Sequence, residues 1–186
     1  MRLDKVGAQA QVLHILTASA EGDGDFEQAR ELFINFARAH ADCCKRTLTR
    51  GHFTGSAWLV SADGRRALLM HHRKLDRWLQ PGGHADGDGD LAAVALREAE
   101  EETGLVGLGV EPEIFDLDRH RIPARGQEPE HWHYDVRFVV RAGASEAFVL
   151  SAEAKALAWR EVAEVAADTH VDASVRRMAL KWLQRS

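Results

Sequence analysis

Hydrophobic positions recur along this chain at two spacings. Up to about residue 50 the spacing is helical. Val6 to Leu16 predicts a short helix within residues 1–22, and Glu21 to Asp25 reads as a turn and helix start. From Asp25 to about Thr47, Phe26, Ala29, Leu32, Phe33, Phe36 and Ala37 form the apolar stripe of a longer helix, which His40 and Cys44 continue. From Gly51 the pattern changes. His52 to Ser61 predicts a strand, Ala62-Asp63-Gly64 a tight turn, and Arg65 to His72 its hairpin partner. Gly107 to Leu117 predicts another strand, Arg119 to Glu130 a polar loop, and His131 to Val140 a strand that starts with period-two alternation. Residues from Glu146 to about Val162 hold a turn and a strand with Leu157 and Trp159. Residues 171–185 predict a last helix with Val175, Met178, Ala179, Trp182 and Leu183 on one face.

Between these elements lies Gly82 to Leu105, GGHADGDGDLAAVALREAEEETGL, which carries the chemistry. It reads as a glycine-rich loop, a helix capped by Asp90, and a closing turn at Gly104. Glu98, Glu101 and Glu102 fall on one face, since helical residues three and four apart are neighbours. Ala92, Leu96, Ala99 and Thr103 fall on the other, small enough to pack closely on a sheet. Glu100 points away from the cluster. Like charges at this spacing repel, so the cluster calls for a cation, and carboxylate oxygens suit hard ions such as Mg²⁺ or Mn²⁺. Gly82 and Gly83 permit a backbone that brings carbonyls close to a metal.

This stretch resembles the box of the Nudix hydrolase family. Gly83 matches its first position, and Arg97, Glu98, Ala99, Glu101, Glu102, Gly104 and Leu105 match its last part in register. The approach Trp78-Leu79-Gln80-Pro81-Gly82-Gly83 is similar too. The departure is Gly89, where the family has a glutamate; Asp88 and Asp90 flank it and are the candidates to replace it, or the loop is simply looser. The resemblance implies an α/β fold, an α/β/α sandwich with a mixed sheet, in residues 51–186, preceded by an N-terminal helical extension in residues 1–50. That extension is expected to pack on the domain; a dimer contact and a cover over the substrate are the alternatives. The resemblance further implies a Mg²⁺- or Mn²⁺-dependent pyrophosphohydrolase that cleaves a phosphoanhydride in a nucleoside diphosphate linked to a group X. The carbonyl of Gly83 and the carboxylates of Glu98, Glu101 and Glu102 would hold the metal and make up the catalytic set. Arg97 supports them, by orienting Glu101 or by closing the loop before the helix. The general base would be a box glutamate or one of Glu128, Glu130 and Glu153.

Ten histidines are a second theme. His71, His72, His84, His120, His131 and His133 fall near the expected pocket edges. Arg73, His84, His131 and His133 are the candidate substrate-phosphate contacts, beside Lys74; structural histidines are the plainer reading. The same histidines could hold zinc, but no cysteine pair or helical His-Glu-x-x-His spacing marks such a site. Trp78, Trp132 and Tyr134 could stack on a base, with core packing as the alternative.

The net charge of −5 argues against a DNA partner, and no apolar run reaches membrane-spanning length. Cys43 and Cys44 are adjacent and expected to stay free thiols, which fits a cytoplasmic protein. Met1 to Lys5 is not followed by a signal-peptide core. A nucleotide-type small molecule is therefore the expected partner, with a homodimer allowed by the family. The competing reading is a Nudix-fold protein that binds a nucleotide in a regulatory role without cleaving it. Isomerase chemistry on an isoprenoid diphosphate would want a cysteine inside the domain, and both cysteines precede it. Two substitutions are informative. Glu101→Gln should reduce turnover by orders of magnitude with the circular dichroism spectrum unchanged. Gly89→Glu should be tolerated without loss of activity; a collapse in folding would show a loop geometry unlike the family's.

Overall fold

The computed structural model describes residues 7–20, 22–152 and 154–185. Val6 of the first expected helix, the Met1 to Lys5 segment, Glu21 and the candidate base Glu153 lie outside the described residues. Helix α1 spans Ala8–Ala18 and α2 spans Gly24–Ala39. The Asp23 carboxylate accepts the Phe26 N–H and starts α2. The helix stops at Ala39, short of the expected Thr47, because His40 turns extended. Residues beyond it spend their backbone groups across the fold: the Cys43 carbonyl accepts from Phe53 at 2.8 Å and that of Cys44 from Gly87 at 2.8 Å. Both cysteines are free and buried there. In the α2 stripe Phe33, Phe36 and Ala37 are buried, Leu32 is 39% exposed, and Ile34 packs in its stead. Val12 and Leu16 of α1 join Phe33, Phe36, Phe53, Val136 and Phe138 in one cluster, so both helices pack on the sheet as expected.

Seven strands follow: β1 (Gly51–Val60), β2 (Arg66–His72), β3 (Arg77–Leu79), β4 (Gly82–His84), β5 (Gly109–Ile122), β6 (His131–Arg141) and β7 (Ala154–Glu161). The sheet order is β3-β2-β1-β6-β5, with β4 added on β1 and β7 on β2. β1 runs parallel to β6 over its whole length, which makes the sheet mixed. The expected hairpin exists only at its turn, where Val60 faces Ala67 and Ser61 N–H meets the Arg66 carbonyl at 2.9 Å. Beyond it the strands part: β4 pairs with β1 at Thr54 to Ser56, and β2 pairs with β7. β5 is longer than its apolar run, because Arg119 to Ile122 continue the ladder opposite His131 to Tyr134. That part of the expected polar loop is strand.

Helix α3 (Leu91–Thr103), with α1 and α2, covers the face bearing Phe53, Ala57 and Leu59. Helices α4 (Val162–Ala167) and α5 (Ala173–Leu183) cover the face bearing Trp58, Val60 and Val139. The short α4 has no counterpart in the sequence reading. On α5, Val175, Met178 and Ala179 are buried, whereas Leu183 is 43% exposed. Trp182 is half-buried and donates its indole N–H to the Gly64 carbonyl at 2.8 Å. The result is the expected α/β/α sandwich. Among the described residues no helix is long and apolar enough to cross a membrane.

One contact reverses an expectation. The loop before α3 presses on the start of α1: a β-carbon at Gly89 would lie 2.3 Å from the Ala8 carbonyl oxygen and 2.6 Å from its Cα. Backbone cannot yield as a side-chain tip does, so with α1 in this place Gly89→Glu should destabilise the fold. Gly89→Ala should lower unfolding stability by ~1–3 kcal/mol, the usual range for overpacking. Gly109→Ala, which meets nothing within 4 Å, should change it little; urea titration of both variants checks the contrast.

Candidate active site

Helix α3 lies against β1 because Gly55 has no side chain: a β-carbon there would sit 2.7 Å from the Leu91 carbonyl. Asp90 caps the helix by accepting the Ala93 N–H, and Gly104, at φ 67°, ends it in the left-handed region. Its buried residues are Leu91, Val94, Ala95, Ala99, Glu102 and Thr103. Ala92 and Leu96, expected at the centre of that face, are only half-buried. The helix is turned so that the glutamates straddle its edge. Glu102 is 7% exposed and accepts the Gly82 N–H at 3.0 Å. Glu98 lies against Gly83, where a β-carbon would come within 2.4 Å of the carboxylate. Glu101 and Glu100 are exposed.

Gly82 and Gly83 thus serve by their size. Neither has a positive φ, and a β-carbon at Gly82 would stand 2.1 Å from Ser56 Oγ. They let two carboxylates and β1 close on one short strand. Arg97 reaches Glu98 at 3.5 Å and Asp88 at 4.0 Å. Its ion pairs run to Glu98 and to the loop before α3, and Asp88 is the acid beside position 89 that it reaches, at the limit of ion-pair distance. Three carboxylates at one helix end, beside a glycine that leaves room for them, fit a hard divalent cation. Glu98, Glu101, Glu102 and the Gly83 carbonyl would hold it.

The opposite face of the sheet carries three rows of polar side chains. His52 stands beside His133, which faces His120. Next come Thr54, Asp135 and Asp118, with His84 opposite Thr54. The third row is Ser56, Arg137 and Asp116. Asp135 accepts from Thr54, Ser56 and Arg137, each at 2.8 Å. Arg137 also reaches Asp116 at 3.4 Å and Asp118 at 3.3 Å, and Arg177 of α5 closes on the same two carboxylates at 2.7 and 2.9 Å. Burial disfavours charge on Arg137, but Asp135, Asp118 and Asp116 outweigh it and raise its pKa. Burial likewise opposes charge on Asp118, yet the His120 hydrogen bond, Arg137 and Arg177 hold it well below the usual carboxylate range.

The histidine row gathers residues from four strands. His131 and His133 Nε2 atoms are 3.2 Å apart, and His131 Nδ1 lies 2.9 Å from the Pro129 carbonyl. A carbonyl can only accept, so Nδ1 is the donor to Pro129; in the tautomer protonated there alone, Nε2 is a lone pair that can accept from His133. The His52 ring centroid is 4.9 Å from those of His131 and His133 and 5.1 Å from that of His84. Burial, then the neighbouring imidazoles His84 and His131, push His52 down to about 4. Burial, with His84 and His120 beside it, pushes His133 down to about 2. His84 is lowered by burial and by Arg46. For His120 burial acts the same way, but the Asp118 hydrogen bond and Asp135 prevail and raise it.

Of the expected phosphate contacts, His84, His131 and His133 come together, and Arg73 does not join them. Its guanidinium donates to the Ala152 and Ala154 carbonyls at 3.1 and 3.0 Å, pinning the start of β7. His71 stacks on Trp78, and the His72 ring nitrogen accepts from Lys74 and Leu75 in the turn beyond β2. Tyr134 is stacked on Phe36 at 3.9 Å and Trp132 lies under Arg119 at 3.8 Å, both turned away from the histidines. For Tyr134 core packing is therefore its role. Glu128 stands 3.9 Å from His131, and Glu130 pairs with Arg121. His52 and Arg137 are the residues that the sequence reading missed. The signal was present: His52-x-Thr54-x-Ser56, His131-x-His133-x-Asp135-x-Arg137 and Asp116-x-Asp118-x-His120 all alternate at strand period.

Arg137→Met should destabilise the protein by ~3–5 kcal/mol, because it leaves buried carboxylates without their counter-ion. Arg177→Met, whose side chain is 47% exposed, should cost about 1 kcal/mol or less; urea denaturation at neutral pH separates the two.

The family described as NUDIX domain matches residues 52–183. No protein of curated function matches the chain at the sequence level. Among solved structures, a C. elegans Ap4A hydrolase in a binary complex shares the fold with a TM-score of 0.55 at 16% identity, covering 72% of this chain and 96% of that one. The MutT protein from Methanosarcina mazei Go1 does so with a TM-score of 0.56 at 18% identity, over 73% and 95%. The E. coli dihydroneopterin triphosphate pyrophosphohydrolase does so with a TM-score of 0.54 at 16% identity, over 72% and 96%. With a sandwich of this architecture, Glu98 and Glu102 of the box set against Gly83 and Gly82, and a domain match over most of its length, this chain belongs to the Nudix hydrolase family.

Proposed function

We propose that the protein is a Mg²⁺- or Mn²⁺-dependent pyrophosphohydrolase that cleaves a phosphoanhydride bond in a small nucleotide derivative, a nucleoside diphosphate linked to a group X. The observation that carries this reading is the convergence of Glu98 and Glu102 on Gly82-Gly83 with Glu101 exposed beside them. A divalent cation bound there would neutralise diphosphate charge and make a bound water more acidic. The chain's own residues prepare the place. The Gly82 N–H fixes one oxygen of Glu102, so that carboxylate is held at a defined angle. Arg97 ties Glu98 to the loop through Asp88. Glu101, exposed at the same helix end, is the box carboxylate best placed to take a proton from an attacking water. Glu128, on the loop before β6, is the alternative base.

The substrate reading follows from charge. A protein of net charge −5 is a poor host for a long polyanion and a reasonable one for a compact metal-neutralised diphosphate. Two free, buried cysteines accord with a reducing, cytoplasmic setting. The names of the fold's relatives, an Ap4A hydrolase and a dihydroneopterin triphosphate pyrophosphohydrolase, set the first compounds to try.

The test is phosphorus-31 NMR of product formation from nucleoside triphosphates, nucleotide sugars, ADP-ribose and dinucleoside polyphosphates, with Mg²⁺, with Mn²⁺ and with chelator. Turnover of one class that disappears with chelator and in Glu101→Gln is the expected result. Metal-independent turnover would remove the cation from the reading, and no turnover while nucleotides still bind would transfer the site to a non-hydrolytic binding role.

A further inference from the structure

We propose that His52, His131 and His133 form a second cation site, for a borderline transition-metal ion such as Zn²⁺, on the opposite face of the sheet from the glutamate cluster. The ligand atoms of these three residues all lie within 4.8 Å of one another. His52 is 1% exposed and His131 is 4% exposed. Neither ring nitrogen of His52 makes a hydrogen bond of ordinary geometry among the described residues, the Leu48 backbone being its nearest polar neighbour outside the imidazoles. A buried imidazole left in that state normally finds a partner, and leaving a buried polar group unpaired costs roughly 1–3 kcal/mol. Here two neighbouring strands, β1 and β6, direct three imidazoles to one point.

The chemistry fits nitrogen-seeking ions rather than Mg²⁺. Imidazole suits Zn²⁺, Co²⁺ and Ni²⁺, while Mg²⁺ prefers oxygen. Tetrahedral Zn–N bonds of about 2.0–2.1 Å place two ligating nitrogens about 3.3 Å apart. The His131 and His133 Nε2 atoms are already 3.2 Å apart, and a cation there would take the place of the shared proton, leaving His133 protonated on Nδ1. The Pro129 carbonyl holds the proton of His131 on Nδ1, which presents Nε2 as a lone pair, the arrangement in which ligand histidines are usually fixed. Three histidines leave a fourth position. His84 borders it, with its ring centroid 5.1 Å from those of His52 and His133, as does Glu128, with a carboxylate oxygen 3.9 Å from His131 Nε2.

This proposal does not depend on hydrolysis at the glutamates. His84 follows Gly83 directly, and adjacent strand residues face opposite ways, so the two sites share β4 and no ligand. The test is titration of metal-depleted full-length protein with Co²⁺, read by its visible d–d absorption and by metal content after gel filtration. The expected result is one tightly held equivalent with the strong bands of low-coordinate cobalt. The bands should persist in the Glu98→Gln/Glu101→Gln double variant and be lost in both His131→Asn and His133→Asn. Absence of the bands in the wild type, their survival in both histidine variants, or their loss with the glutamates would each overturn the proposal. If the histidine variants do not fold, long-range ¹H–¹⁵N spectra of the wild-type histidines with and without Zn²⁺ decide. Three rings shifting to metal-bound values supports the site, and none shifting rejects it.

Discussion

The distance between α3 and the strands beneath it is set by side chains that are not there. Gly55 lets the helix start approach β1, Gly83 lets Glu98 lie on the backbone of β4, and Gly82 lets β4 close on Ser56. Packing interiors are dense enough that one added methyl at any of these points must move something. Every functional feature on that face inherits this spacing. Glu102 is buried because the helix sits low, and only a carboxylate brought that low can be fixed by a strand N–H. The metal-binding role proposed for the helix would therefore depend on this contact as much as on its glutamates.

The other face is organised by charge. Arg137 and its three aspartates occupy ground that in most sandwiches would be aliphatic. Such a network contributes little net stability over apolar packing but is severe when broken, so it acts chiefly as a constraint on register. If β5 slipped by one residue relative to β6, Asp116, Asp118 and His120 would turn to the opposite face. The histidine row sits at the end of the same ladder, and its position is a consequence of that register.

Most of the architecture was legible because apolar spacing reports backbone geometry wherever side chains are buried against one face. The box was legible because its residues are close in sequence and their separations have a direct helical meaning. What escaped notice lies where those conditions fail. β5 ran on through Arg119 to Ile122 without an apolar alternation to announce it, since backbone pairing alone carries that part of the strand. His52 was overlooked because its partners are some eighty residues away, and only the parallel pairing of β1 with β6 brings them alongside. Arg73 looked like a phosphate contact because a cation near a glycine turn is a cheap inference; nothing in the sequence shows that two carbonyls of β7 claim it. Leu32 and Leu183 were misassigned because both helices bury a narrower stripe than a count of apolar residues implies.

The contact between Gly89 and Ala8 makes two distant parts of the chain mutually dependent. The first helix occupies the space that any side chain at position 89 would need, and Asp88 supplies a carboxylate to Arg97 from next door. The loop and the leading helix are thus a matched pair. A version of this protein without α1 would have room for a larger residue at 89, and a version with a larger residue there would have to dock α1 differently. Inheritance of one without the other would carry a packing fault, so the two features should be read as a single character when this branch of the family is compared with others.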